Sequence, residues 1–341
     1  METLFLDAKN DGAIETVAKI LKNGGLAAIP TETVYGLAAN AFDPGACANI
    51  FKAKGRPGDN PLIVHICNID MLGDVVAEVP EKARILAEKF WPGPLTMIMK
   101  KSDKIPMVTS ANLPTVAVRF PAHPVAQEII RKTGLPLAAP SANLSGSPSP
   151  TTFEHCVHDL TGRVDAIIDG GPCAVGVEST IISFADETPM LLRPGYVTLE
   201  QLRDAIGEVG LSKAVLEKLG DGEKVLSPGM KYKHYAPKAK VSLVKASTEK
   251  YVEYVNEHAN EEGVFALCFD EEAPMLKVST VCYGSKFSDE EQAERLFDAL
   301  RELDDAGALC VYAHSPRTSG VGMAVYNRLV RAAGFDIITL D

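Results

Sequence analysis

The sequence predicts an α/β protein in two parts: a mixed sheet with helices, then a small parallel α/β sheet. Three observations carry this. At 341 residues the chain is too long for one ordinary domain and suits two. Up to about residue 210, strand–helix alternation is interrupted by strands that follow one another directly, which a strictly doubly wound sheet does not do. From 241 onward the alternation is regular, which favours parallel strands with crossover helices.

In order, residues 11–23 place Ile14, Val17, Ala18 and Leu21 on one helical face, closed by Gly24 and Gly25. The strand LAAIP and the turn-rich TETVYGL follow. Asp43 and Pro44 read as an N-cap and first helical position, opening a helix that stops at Gly55. PLIVHIC (61–67) is apolar on both faces and is expected to be an interior strand. Pro80–Phe90 and Pro124–Thr133 are helices, LTMIMK, TVAVRF and LPLAAP are strands, and STIISF with MLLRP forms a closing pair. LSPGMKYKHYAPKAK (226–240), with four lysines and no acid after Leu226, reads as a linker. Beyond it come strand 241–245, helix 248–259, strands 264–269 and 276–282, helix 288–304, strand 308–312, helix 320–332 and strand 335–340. The expected domains are 1–210 and 241–341, with 211–240 between them.

The net charge of −11 is unevenly spread. Residues 241–341 carry 18 acids against nine Lys and Arg, so the C-terminal part is a poor partner for nucleic acid. The earlier part is close to neutral and meets an anion with far less repulsion. No apolar run reaches the roughly 18–20 residues of a membrane span, and METLFLDAKN lacks the form of a signal peptide. Seven scattered cysteines without C-x-x-C argue against a zinc site or a disulfide framework and fit a reducing, cytoplasmic location. No metal-ligand set is expected.

Against that background FKAKGRPGDNPLIVHI (51–66) concentrates Lys52, Lys54 and Arg56 in five positions. Two readings stand: the cations complement a helix C-terminus, or they hold phosphate, Arg56 bidentately and a lysine as a point charge. APSANLSG (139–146) offers Ser141 and Asn143, either as turn caps or as ligand contacts at the C-terminal end of a strand. Thr31, Glu32, Thr33 and Tyr35 in PTETVYG form either an N-cap with a packing tyrosine or a polar pocket wall. His65 is either a core histidine or a ligand contact. Arg119 closes an apolar strand and needs a partner; Ser179 and Arg193 have similar character. SGVGMAVYNRL (319–329) carries a G-x-G that is weak as a phosphate signal and reads better as close helix packing.

Together these strings resemble the threonylcarbamoyl-AMP synthase family in its two-domain form. PTETVYGLAANA, KAKGRPGDNPLIVHI, Lys54-x-Arg56 with Ser141-x-Asn143, VESTII, LLRPG and SPGMKYKHYAP match its pattern in order along the chain. The resemblance implies a YrdC-like twisted open mixed sheet with helices, plus a smaller Rossmann-like domain. It implies that L-threonine, bicarbonate or CO2, and ATP with Mg2+ become L-threonylcarbamoyladenylate and pyrophosphate, feeding a tRNA threonylcarbamoyl-transferase machinery that modifies the adenosine next to the anticodon. Carried over, Lys54 and Arg56 would be catalytic. Arg56, Asn60, Thr115, Ser141, Asn143, Ser149 and Arg193 would hold ATP, and Tyr235 would make the linker a lid. Thr33, His65, Arg119, Ala139 and Ser179 would hold threonine. No residue stands out as a general base, and direct tRNA binding stays open. A carbamoyltransferase of the hydrogenase-maturation kind would carry paired C-x-x-C motifs that are missing; an RNA-binding module would show steep salt dependence.

Overall fold

Residues 2–58, 60–215 and 235–340 are described by the computed structural model. The chain divides into two units, one of Met1–Ser145, Ser149–Ala174 and Glu178–Lys231, the other of Gly146–Pro148, Val175–Val177 and Tyr232–Asp341.

The first unit is built on one mixed sheet. Its strands are β1 (Leu4–Asp7), β2 (Ala27–Ile29), β3 (Gly36–Asn40), β4 (Ile63–His65), β5 (Leu95–Lys100) and β6 (Thr115–Arg119). They continue as β7 (Leu137–Ala138), β8 (Ala166–Asp169), β9 (Thr180–Ser183), β10 (Met190–Arg193) and β11 (Gly210–Leu211). Spatial order is β1-β8-β2-β3-β7-β4-β6-β5-β9-β10-β11. Pairs β1–β8, β4–β6 and β5–β9 are parallel, whereas β2–β3, β5–β6 and β9–β10 are antiparallel. The mixed sheet expected from the sequence is therefore present.

Helices α1 (Ala13–Lys22) and α2 (Pro44–Lys54) are followed by α3 (Leu72–Val75), α4 (Glu81–Phe90), α5 (Pro124–Thr133), α6 (Phe153–Leu160) and α7 (Leu199–Ile206). Val17 and Leu21 of α1 and Ala126, Ile129 and Ile130 of α5 pack on Ala27, Ile29, Ala166 and Ile168 at the β1 end of one face. Ile50 and Phe51 of α2, Leu86 of α4, Leu160 of α6 and Leu202 of α7 share the other face with Val64, Met97, Val118 and Ile182. Several strands are shorter than their apolar runs suggest: of PLIVHIC only Ile63–His65 pairs, and of LPLAAP only Leu137–Ala138, because each run enters or leaves through proline, which gives no ladder donor.

In the second unit β12 (Lys240–Lys245), α8 (Thr248–Glu257), β13 (Val264–Cys268), β14 (Ser279–Cys282), α9 (Asp289–Asp305), β15 (Cys310–His314), α10 (Gly322–Ala332) and β16 (Ile337–Thr339) follow in turn. The strands lie in the order β14-β13-β15-β12-β16, and every pairing is parallel. The expected strand 276–282 shortens to β14, preceded by a 3-10 turn at Ala273–Met275 whose second residue is proline.

Candidate active site

The geometry of the site begins with how α2 ends. Asp43 accepts hydrogen bonds from the Gly45 and Ala46 amides at 2.8 and 3.1 Å, with Pro44 in the first turn. At the other end Gly55 takes a left-handed conformation (φ 63°), and the Arg56 amide donates back to the Phe51 carbonyl at 2.9 Å. This sharp exit leaves Lys54 and Arg56 buried, 3% and 9% exposed, whereas Lys52 stays in solvent, 3.3 Å from Asn49 Oδ1. For Lys52 the helix-end reading holds.

Lys54 Nζ donates to the Ser141 carbonyl, to the Asn143 carbonyl at 2.7 Å and to Asn143 Oδ1 at 3.3 Å. Ser141 Oγ donates to the same Oδ1 at 2.6 Å, and the Ser145 amide to the Lys54 carbonyl at 3.0 Å. The K-x-R and S-x-N strings thus form one knot across nearly 90 residues of chain. Burial, and then the Arg56 guanidinium, push the Lys54 ammonium down to about 7. The negative charge of a polyanion would offset both effects.

A second polar group crosses the sheet. His65 pairs with Arg119 in the β4–β6 register, and Arg119 with Thr96 in the β6–β5 register, so all three side chains leave the same face. Arg119 was expected to need a partner, and it has several: Nη2 lies 2.8 Å from Glu32 Oε1, Nη1 donates to Thr33 Oγ1 at 2.8 Å, and Nε to the Gly93 carbonyl at 3.3 Å. Burial alone would raise the Glu32 carboxyl, but the charge and hydrogen bond of Arg119 outweigh it and hold it below the ordinary range. His65 is 4% exposed, and burial followed by the Arg119 charge push its imidazole down to about 3. Its Nδ1 faces the Ile63 carbonyl at 3.2 Å, which requires the proton on Nδ1 and leaves Nε2 as an acceptor. Tyr35, by contrast, is a packing residue, fully buried and donating to the Gly171 carbonyl at 2.8 Å.

Further along the sheet Arg193 donates to the Ser179 carbonyl at 3.0 Å and to Ser179 Oγ at 3.2 Å, while Ser179 Oγ and Thr96 Oγ1 lie 2.8 Å apart. Ile63, Ile98, Ala117, Ile181 and Leu192 form a separate apolar cluster on these strands. Thr115, four residues before Arg119, shares its face about 13 Å away. Ser149 Oγ donates to Glu178 Oε1 at 2.6 Å. Ala139 is buried, its amide donating to the Ile63 carbonyl at 2.9 Å. Asn60 is 1% exposed, and its Oδ1 has no hydrogen-bond partner among the described residues.

Two groupings therefore emerge, Lys54–Ser141–Asn143 beside Arg56, and Thr33–Glu32–Arg119–His65 continuing through Thr96 to Ser179 and Arg193. Thr115 and Ser149 join neither through a direct side-chain bond. Thr96 and Glu178 were not singled out from sequence; Glu178 stands beside Ser179 in VESTII, and Thr96 is a lone hydroxyl in an apolar strand. Most of the basic linker, with the expected lid, lies outside the described residues. Tyr235 belongs to the second unit, 2% exposed, with its ring 5.2 Å from that of Phe297. Among the described residues no three His, Cys, Asp or Glu side chains cluster as a metal site, and no helix is long and apolar enough to cross a membrane.

Comparison with known proteins bears on the whole chain. Residues 19–195 match the family described as Telomere recombination, and residues 197–334 the family described as Threonylcarbamoyl-AMP synthase, C-terminal domain. The threonylcarbamoyl-AMP synthase of Bacillus subtilis is 46% identical over 96% of this chain and 95% of its own length. That of Pyrococcus abyssi is 44% identical, covering 95% of each chain. A crystal structure of Pyrococcus abyssi Sua5 complexed with L-threonine superposes with a TM-score of 0.92 at 41% identity, over the full length of both chains. On both its parts, and on its fold, the chain belongs to the threonylcarbamoyl-AMP synthase family.

Proposed function

We propose that the protein joins L-threonine, CO2 or bicarbonate, and ATP into L-threonylcarbamoyladenylate, releasing pyrophosphate and supplying the threonylcarbamoyl group for tRNA adenosine modification beside the anticodon. The observation that carries this reading at the level of residues is the buried Lys54 ammonium tied to Ser141 and Asn143, in one unit with the Arg119–Thr33 pair. The first suits a polyphosphate; the second suits an amino acid carboxylate.

The amine of threonine, once deprotonated, forms an N–C bond to CO2 and gives a carbamate; if bicarbonate is the source, water leaves. A carbamate oxygen then attacks the α-phosphorus, the bond to the bridging oxygen of pyrophosphate breaks, and the electron pair leaves with pyrophosphate. No covalent enzyme intermediate is needed, so the protein's contribution is positioning and charge neutralisation. Lys54 and Arg56 offset charge on the α-phosphate and the departing pyrophosphate. Arg56, Asn60, Thr115, Ser141, Asn143, Ser149 and Arg193 hold the nucleotide. Arg119 takes the threonine carboxylate, with Thr33, His65, Ala139 and Ser179 around the amino acid. Mg2+ enters bound to the phosphates of ATP, as part of the substrate. The catalytic domain is assigned to 1–210 and the C-terminal domain to 241–341. A cytoplasmic location and delivery to a tRNA-modifying transferase complete the reading, and all seven cysteines being free agrees with a reducing compartment.

The deciding experiment incubates the protein with ATP, Mg2+, bicarbonate and L-threonine and follows pyrophosphate and the adenylate together. Both should form in equal amounts and only with threonine present; pyrophosphate released without threonine would sink the assignment.

A further inference from the structure

The second unit has a cavity of its own. In its sheet β12 and β15 are neighbours, but their onward connections diverge: α8 leads from β12 to β13 on one side, and α10 leads from β15 to β16 on the other. The loops leaving these two strands therefore separate at their C-terminal ends, which is the switch point where open parallel sheets receive ligands. A cavity of about 210 Å³ lies there, lined by Ser247 and Thr248 after β12, by His314 at the end of β15 and Arg317 beyond it, and by Lys286 and Gln292.

The floor of this cavity is a closed polar network. Glu272, fully buried, accepts through Oε1 from Thr248 Oγ1 at 2.8 Å and faces His314 Nδ1 at 2.7 Å; its Oε2 accepts from the Phe269 amide at 3.3 Å. His314 Nε2 faces the Ala246 carbonyl at 3.0 Å, and its ring stacks on Tyr251 with centroids 4.3 Å apart. Glu272 is thus spent on the protein itself. Above the floor stand two cations: Lys286, whose Nζ donates to Thr248 Oγ1 at 2.8 Å, and exposed Arg317. They flank the N-terminus of α8, where Ser247 is the cap, and Glu249 is the acid at that edge.

Gln292 supplies the observation that points to a ligand. It is 1% exposed, and its Nε2 donates to the Ser285 carbonyl at 2.7 Å, which fixes the amide orientation. That leaves Oε1 buried with no hydrogen-bond partner among the described residues. A buried acceptor in a cavity wall costs stability unless something donates to it. The G-x-G after β15 contributes packing: a Cβ on Gly322 would lie 2.9 Å from the Arg317 carbonyl oxygen, so the Arg317 loop is pressed against the start of α10.

We propose that this switch-point cavity binds a small phosphate monoester whose carbon part carries hydroxyls. Lys286, Arg317 and the first amides of α8 take the phosphate, and a ligand hydroxyl donates to Gln292 Oε1. The volume suits a sugar phosphate and is too small for a dinucleotide.

The test uses the full chain with ribose 5-phosphate as probe and hydrogen–deuterium exchange as readout. Exchange should slow over 246–250 and 314–318, with protection that saturates at millimolar probe. Arg317→Met, an exposed position that leaves the fold intact, should weaken this binding about tenfold or more, as loss of a charge-assisted contact does. Gln292→Met should weaken ribose 5-phosphate about tenfold yet leave inorganic phosphate unaffected. The proposal is overturned if these segments stay unprotected, if protection is confined to 52–61 and 139–145 of the first unit, or if Arg317→Met binds as well as the parent. Equal weakening of both probes by Gln292→Met would overturn the hydroxyl contact.

Discussion

The ammonium of Lys54 lies 2.7 Å from the backbone oxygen of Asn143, 89 positions further along the chain. A buried cation held by carbonyl oxygens, with an arginine as its neighbour, suits the negative charge of a polyphosphate. Exchanging Lys54 for Met should therefore lower kcat for pyrophosphate release by about a hundredfold to a thousandfold, the scale seen when one transition-state donor is removed. It should also cost about 1–3 kcal/mol of stability, because the oxygens it serves lose their donor. Steady-state kinetics beside urea unfolding separates the two; turnover within a few-fold of the parent would remove Lys54 from the catalytic set.

The same residue sets a pH dependence. With its folded value pushed down to about 7, Lys54 loses its proton in the free enzyme as pH rises through that value. Since the charged form is the one that attracts phosphate, kcat/KM for ATP should fall above pH 7, approaching tenfold per unit. Bound ATP supplies the counter-charge, so kcat should hold to higher pH. Lys54→Arg, which stays charged, should abolish the decline in kcat/KM; an unchanged profile in that variant would assign the titration elsewhere.

His65 makes the opposite half of the pH range informative. Its folded value is about 3 against an ordinary 6.5, so between these limits the unfolded chain binds the extra proton and stability falls as pH falls. The contribution to the slope is roughly 1.4 kcal/mol per pH unit at most. His65→Asn should flatten the urea-derived stability curve between pH 6.5 and 4, and a slope equal to the parent's would contradict a neutral buried imidazole.

Arg119 and Glu32 hold each other as an ion pair. If Arg119 receives the threonine carboxylate, Glu32 competes for it, and Glu32→Gln should lower the KM for threonine. Arg119→Met combined with Glu32→Gln avoids stranding a buried carboxylate, which alone would cost about 3–5 kcal/mol. That double variant should raise the threonine KM about tenfold to a hundredfold, with the KM for ATP unchanged. A parallel rise in both constants would give Arg119 a structural role instead.

Much of this candidate grouping is legible in the sequence. Lys54, Arg56, Ser141 and Asn143 stand out because polar groups crowd into short strings beside apolar strands, and Gly55 with Asp43–Pro44 marks both ends of the helix that aims them. What could not be read were pairings between distant segments. The β1 strand has three exposed residues out of four and no apolar alternation, so nothing in it announces a parallel partner 160 residues away. Glu32 reads as part of a polar turn, and only the fold reveals that it neutralises Arg119. Thr96 and Glu178 escaped because their partners, Ser179 and Ser149, come from distant parts of the chain. His65 was ambiguous for a physical reason: a buried neutral imidazole looks alike in a core and in a pocket wall until the register sets it beside Arg119.

The polar row that links Thr33 to Arg119, Thr96, Ser179 and Arg193 also sets a timetable for the birth of the enzyme. Its members come from the whole length of the first unit, and Arg193 is the last to leave the ribosome. At about 5–20 residues per second, the 160 residues between Thr33 and Arg193 take roughly 10–30 s to synthesise. Arg119 follows Glu32 by 87 positions and can meet it only in the second half of that interval, and the hydroxyl chain still has no terminus then. A nascent chain stalled before residue 193 therefore lacks the arginine that closes this row on Ser179.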